Sequence, residues 1–221
     1  MSTSIRRAIA LLVILGGLHP AAVRAQDADA IVGRSSRVYR SLSSLKADFV
    51  QVIDNPMIDS AESRGTLIQA GADKLAMRFT NPPGEAVIID GRSVWIYTPS
   101  TTPGQVIRMG VPSGGPVYGF NMLAWLLDRP AERYTASYLR GDKLGGRPVD
   151  VISLVPAVPD LPFERAVVWL DRGDGLPRRL EITEPSGAIR TLTLSKVRVD
   201  QPVTNKTFEF QVPSGVRIVD Q

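Results

Sequence analysis

The stretch VIIDGRSVWIYTP (87–99) constrains the fold more than any other part of this chain. An Asp-Gly pair between two runs of β-branched and aromatic residues is a strong short-range hairpin signal. Whether the connecting loop takes two residues or four, pairing puts Val87, Ile89, Val94 and Ile96 on one face and Ile88, Trp95 and Tyr97 on the other. A surface hairpin keeps one face polar, but this one is apolar on both. Each face therefore needs a cover.

Strand-like runs separated by turn chemistry surround it. LKADFVQVI (45–53), SRGTLIQA (63–70) and KLAMRFT (74–80) precede the hairpin, and GQVIRM (104–109) follows. In KLAMRFT the alternation is clean, with Leu75, Met77 and Phe79 on one face and Lys74, Ala76 and Arg78 on the other. RYTASYLR (133–140), RPVDVISLVP (147–156), FERAVVWLD (163–171), RRLEIT (178–183) and IRTLTLSKVRV (189–199) complete the series, with RGDKLGG, DRGDG and EPSG as turns. Short strands at this regular spacing predict a meandering antiparallel sheet or barrel.

Two segments depart from the period of two. From Ala28, Ile31, Val32, Ser35, Val38, Tyr39, Leu42 and Leu45 make one helical stripe, and Arg34, Arg37 and Arg40 lie towards the opposite, solvated side. PVYGFNMLAWLLDRP (116–130) has Asn121 as N-cap, a short helix apolar nearly all round and Pro130 as its stop. TPSTTPGQVIRMGVPSGGP (98–116), rich in Gly and Pro, suggests a mobile approach to it. Packing alone leaves two readings of that helix, a core plug or a lid over an apolar cavity.

Residues 1–25 read as a secretory signal: Arg6 and Arg7 open it, AIALLVILGGL (8–18) is its apolar stretch, and VRA ends at a small-residue cleavage site, Ala25. The apolar run is too short for a stable transmembrane helix. Cleavage removes Arg6, Arg7 and Arg24 from the 26 basic residues and none of the 22 acidic ones, leaving 23 against 22. The high precursor pI of 9.6 thus carries no argument for a nucleic-acid partner.

His19, the one histidine, leaves with the signal, and the chain has no cysteine. Residues 26–221 therefore exclude Ser-His-Asp and Cys-His machinery, thiolate or imidazole zinc sites and disulfides. Without a cysteine after the signal there is no site for a lipid anchor, so the expected product is a free exported protein. DRGDG (171–175) lacks the alternating oxygen ligands and closing Glu of a calcium loop. GVPSGGP (110–116) and GDKLGG (141–146) lack the Gly-Lys-Ser/Thr of a phosphate loop. Glu62, Asp90 and Asp171 fall in different turns, with no spacing that marks a glycosidase pair. NKT (205–207) matters only in a glycosylating pathway. No metal or cofactor is expected.

With these features in place, the chain resembles the outer-membrane lipoprotein carrier family, the LolA-like periplasmic chaperones. The opening helix followed by SLKADFVQ (44–51), the strand GTLIQ (65–69), NPPGEAVIIDGRSVWIYTP (81–99), NMLAWLLDRP (121–130) and FEFQVPSGVRIVD (208–220) carry the resemblance in order and spacing. It implies one domain over 26–221, an incomplete antiparallel β-barrel with an N-terminal helix and a short helical lid over an apolar cavity. It also implies a monomeric periplasmic carrier whose cargo is acylated lipoproteins. Such a carrier takes them from an inner-membrane transporter, shields their acyl chains and passes them to an outer-membrane receptor. The expected acyl-chain site is Leu67, Leu75, Met77, Val87, Ile89, Val94, Trp95 and Ile96, under a lid carrying Met122, Leu123 and Leu126; Trp95 and Tyr97 mark the alternative hairpin face.

One departure from the family pattern matters. QAGADKLAM (69–77) puts Gly71 where the family has an arginine that holds the lid closed, and Leu75 and Met77 where it has aromatic residues. Closure here is then expected to rest on apolar contacts. Two other functions compete with the carrier: a periplasmic sensor of lipid or lipoprotein sharing the half-barrel, and a secreted enzyme using carboxylates.

Overall fold

The computed structural model describes residues 20–111, 120–158 and 161–221. The apolar stretch expected to belong to a signal and part of the Gly/Pro-rich approach fall outside them. The elements run α1 (Pro20–Ser41), β1 (Leu45–Asn55), β2 (Ile58–Ala70), β3 (Lys74–Asn81), β4 (Pro83–Asp90), β5 (Ser93–Tyr97) and β6 (Gln105–Gly110). Then come α2 (Met122–Leu127), α3 (Pro130–Arg133), β7 (Tyr134–Leu144), β8 (Arg147–Pro156), β9 (Arg165–Asp171), β10 (Pro177–Thr183), β11 (Ile189–Val199) and β12 (Arg217–Asp220).

Among the described residues, twelve strands form one sheet in the order β12-β6-β5-β4-β3-β2-β1-β11-β10-β9-β8-β7. Neighbours are antiparallel except β12 with β6, which is parallel. The edge strands β12 and β7 are not paired with each other, so the barrel stays open. Two pairings depart from a simple meander: β1 lies beside β11, joining two runs of sequential strands, and β12 lies parallel to β6 because the chain after β11 does not turn back in a hairpin. It crosses the sheet first, and that crossing resolves the hairpin's two apolar faces.

One face of β4 and β5 meets the helices. Ile89 and Val94 are buried in the main core with α1 and α2, and Val87 and Ile96 pack against it. On the other face the returning C-terminal segment is the cover. Ile88 and Ala86 are buried with Phe208, which ends a 3-10 turn at Asn205–Phe208. Trp95 stacks on Phe210 at 5.6 Å between ring centroids, and Tyr97 meets the same ring at 5.7 Å. The hairpin turn itself fixes Trp95 there. Gly91 takes φ 95° as the first central residue of a two-residue connection. The Asp90 carboxylate accepts from the Arg92 and Ser93 amides, both at 2.8 Å, and from the Trp95 indole N–H at 3.0 Å.

α1 lies on the inner face through Ala28, Val32, Ser35, Ser36 and Tyr39, all buried at helical spacing. Its arginines are exposed as expected, but Arg34 is not merely solvated. Its guanidinium donates to the carbonyls of Arg172 (3.3 Å) and Gly173 (3.1 Å) in the β9–β10 turn. That turn is the DRGDG string, and Asp171 organises it. The side chain is only 1% exposed and forms ion pairs with Arg147 and Arg178, and it accepts from the Gly173 amide at 2.8 Å.

Burial alone would push the Asp171 carboxyl up. The bond from Arg147, the Gly173 and Asp174 amides and the Arg178 charge together hold it below the usual aspartate value. A depressed native pKa means the stabilisation is present above the unfolded value of about 3.9 and is lost as pH falls through the native one. Asp171→Asn is expected to lower stability at neutral pH by about 1–2 kcal/mol, since Asp174 still pairs with Arg178. It should also flatten the acid limb of the stability curve, as thermal melts from neutral to acidic pH would record.

Candidate functional site: an apolar face roofed by a short helix

Cross-strand register assembles the site. Leu67 on β2 faces Met77 on β3, Met77 faces Val87 on β4, and Val87 faces Ile96 on β5. One step along, Gln69 faces Leu75, Leu75 faces Ile89, and Ile89 faces Val94. Directly paired residues point to the same side, so these form two parallel rows on the inner face. Seven of the eight residues expected to line the cavity stand in them. Trp95 does not; it lies on the outer face against Phe210, because the Asp90 bond and the period of two carry it there.

α2 roofs these rows. All six of its residues are buried, and Met122, Leu123 and Leu126 belong to the same core cluster as the strand residues. A helix of six residues has almost no intrinsic stability, so its orphan backbone groups are satisfied from outside. The Asn121 side chain accepts from the Ala124 amide at 3.3 Å as N-cap. At the other end Ser36 on α1 donates to the Leu127 carbonyl at 2.7 Å. Arg133 donates to the Trp125 carbonyl at 3.0 Å and lies 4.2 Å over its ring. Asp128 caps α2, and Pro130, rather than ending that helix, opens α3 as a first-turn proline.

Gly71 sits at φ 62° in the β2–β3 turn facing the lid. The tie made there is neutral. The Tyr39 hydroxyl donates to Gln69 Oε1, Gln69 Nε2 donates to the Gly71 carbonyl at 2.8 Å, and Asn121 Nδ2 donates to the Ala72 carbonyl at 3.3 Å. α1, the turn and α2 are thereby joined through uncharged groups. Burial raises the Tyr39 pKa well above the usual tyrosine value, against the opposing pull of the Gln69 bond, so the phenol stays a donor. Gln69 is the residue that periodicity passes over. Its signal is a glutamine two positions after Leu67, where the alternation calls for an apolar side chain.

Two voids flank α2. One of about 90 Å³ lies among Leu67, Met77, Val87, Met122 and Leu123. The other, about 500 Å³, is lined by Tyr39, Leu42, Leu45, Ala72, Ala124 and Arg129, among others. No described group of His, Asp or Glu side chains is placed to hold a metal ion. Among the described residues no helix is long and apolar enough to cross a membrane.

A family model described as "Outer membrane lipoprotein carrier protein LolA" matches residues 40–211. The outer-membrane lipoprotein carrier protein of Methylobacillus flagellatus is 23% identical over 205 residues, covering 91% of this chain and 93% of its own. That of Alkalilimnicola ehrlichii is 25% identical over 187 residues, covering 84% and 81%. Among solved structures, an uncharacterized conserved protein from Thermus thermophilus matches with a TM-score of 0.57 at 12% identity, over 89% of this chain and 100% of that one. A chain of the Pseudomonas aeruginosa MucA/MucB complex matches with a TM-score of 0.51 at 16% identity, over 87% and 63%. At such identities the solved structures are similar in fold alone.

Proposed function

We propose a lipid-shielding function that proceeds from the family: this chain belongs to the LolA family of outer-membrane lipoprotein carriers. Membership makes it a non-catalytic periplasmic protein of lipoprotein handling. Within that role, the proposed activity is to shield the acyl chains of a lipoprotein between the inner-face rows and α2. It would receive the cargo from an inner-membrane transporter and release it to an outer-membrane receptor. The observation that carries this reading is the wholly buried α2 over the rows led by Leu67 and Leu75, with unfilled volume on either side.

Each methylene moved from water into the cavity contributes about 0.8 kcal/mol, so two or three acyl chains provide a large favourable term. The voids are too small to take them with α2 seated, so loading must move α2 off the rows. The apolar contact α2 makes with the sheet is then lost on loading and regained on release. It offsets part of the acyl term and keeps the cargo removable.

Photo-crosslinking during loading with an acylated lipoprotein tests this reading. Adducts are expected from probes at Met77, Val87 and Met122 and none from a probe at Trp95. Adducts at none of the inner-face positions, or at Trp95 alone, would overturn the inner face as the acyl site.

A further inference from the structure

We propose that the cavity of about 500 Å³ beside α2 binds a single-chain anionic amphiphile, one acyl tail ending in a carboxylate or phosphate head. This goes beyond lipoprotein shielding, because the acyl linkages of a lipoprotein are neutral esters and amides and bring no charge to match the guanidiniums at the rim.

The cavity has the volume of a small-molecule site, which runs from about 300 to 1,000 Å³. Its lining combines apolar groups, Tyr39 and Leu42 from α1, Leu45 from β1, Ala72 from the β2–β3 turn and Ala124 from α2, with the buried polar residues Ser44 and Gln69. Its rim carries two guanidiniums from separate elements, Arg40 in the last turn of α1 and Arg129 just after α2. No described residue hydrogen-bonds or ion-pairs with the Arg40 guanidinium, unlike Arg34 and Arg133, whose side chains hold backbone carbonyls.

Arg129 adds an independent observation. Its backbone lies in the left-handed region at φ 45°, ψ 53°. For a side chain of this kind that conformation is strained and persists where the surroundings impose it, often at binding sites. The strain sets the guanidinium at the mouth. There its partners are the half-buried Asp128 at 3.6 Å, whose side chain also lines the cavity, and the exposed Glu132 at 3.3 Å. Such pairs are weak and exchangeable. A carboxylate or phosphate can replace them and accept two parallel N–H bonds from a guanidinium fork. The tail would follow the apolar wall to Ala124 and so touch the roof helix.

Titration calorimetry on the delipidated mature protein, below the probes' micellar concentrations, decides this. The probes are palmitate, palmitoyl lysophosphatidylglycerol and neutral monopalmitoylglycerol. At least one anionic probe should bind roughly fivefold more tightly than the neutral one, as expected for two partly exposed charge contacts, and added salt should erase that margin. A palmitate preference identifies the head as carboxylate, and a lysophospholipid preference identifies it as phosphate. Arg40→Gln with Arg129→Gln should level the affinities while leaving the neutral probe's unchanged. Arg40→Gln alone, at an exposed helical position, should lose part of the margin and guards against any effect of Arg129 on folding. Equal affinity for all three probes in the wild type, no binding of any, or a preference surviving the double substitution would overturn the proposal. None of these results bears on lipoprotein crosslinks at Met77 and Val87, so the two readings fail separately.

Discussion

Leu126→Asp is expected to unseat the roof helix. Leu126 is fully buried at the centre of α2, inside the cluster it shares with the strand rows. Among the described residues no ion pair links α2 to any strand. Keeping the charge buried costs several kcal/mol, more than six residues of helix can supply. The cheaper outcome is for α2 to leave, exposing the inner face. The variant should bind a fluorescent acyl probe faster and more tightly than the wild type, and pass acylated cargo on poorly. Wild-type closure should hardly respond to salt, because its polar ties are hydrogen bonds through Asn121, Ser36 and Arg133 to backbone groups. Probe affinity for both proteins at low and high salt is the measurement. Weaker binding by the variant, or a wild type strongly sensitive to salt, would rule out this mechanism of closure.

The second large effect lies in the sheet under that roof. Gly65 stands in register between Phe49 on β1 and Phe79 on β3, whose rings meet edge to face at 5.1 Å between centroids. The two aromatic neighbours supply the apolar cover that the glycine lacks. The ladder shifts register beside it, between Arg64 and Gly65, and β3 approaches closely. A Cβ at Gly65 would fall 2.1 Å from the Arg78 carbonyl oxygen and 2.8 Å from the Phe79 Cα. Both are backbone atoms, and neither can swing aside as a side-chain tip would. Gly65→Ala should therefore push β2 and β3 apart and destabilise the fold by about 3 kcal/mol or more, the upper range for overpacking. Denaturant unfolding would measure it, and an effect under about 1 kcal/mol would show that the strands adjust freely.

How far the site was legible differs residue by residue. Alternation put Leu75 with Met77 and Val87 with Ile89, because a strand's period of two fixes which side chains share a face. It did not decide which hairpin face looks inward. Either face was apolar enough, and the choice belongs to Phe208 and Phe210, more than a hundred positions away, which claim Trp95 and Ile88 for the outer side. Local pattern also failed at Arg34. An exposed arginine on a helix looks solvated until the β9–β10 turn presents two carbonyls to it.

The sequence by itself determined the strand series, the amphipathic opening helix, the apolar α2 with its Asn121 cap, and the absence of histidine and cysteine chemistry after residue 25. Each is a local matter of periodicity, capping or composition. Only the tertiary structure decided that β12 joins β6 in parallel, that β7 and β12 leave the barrel open, and that Gln69 links Tyr39 to the Gly71 turn. It alone brought Arg40 and Arg129 to one cavity mouth. These depend on contacts between residues far apart in the chain. No repeat or spacing encodes such contacts, because they form only when burial of both hairpin faces has packed the elements together.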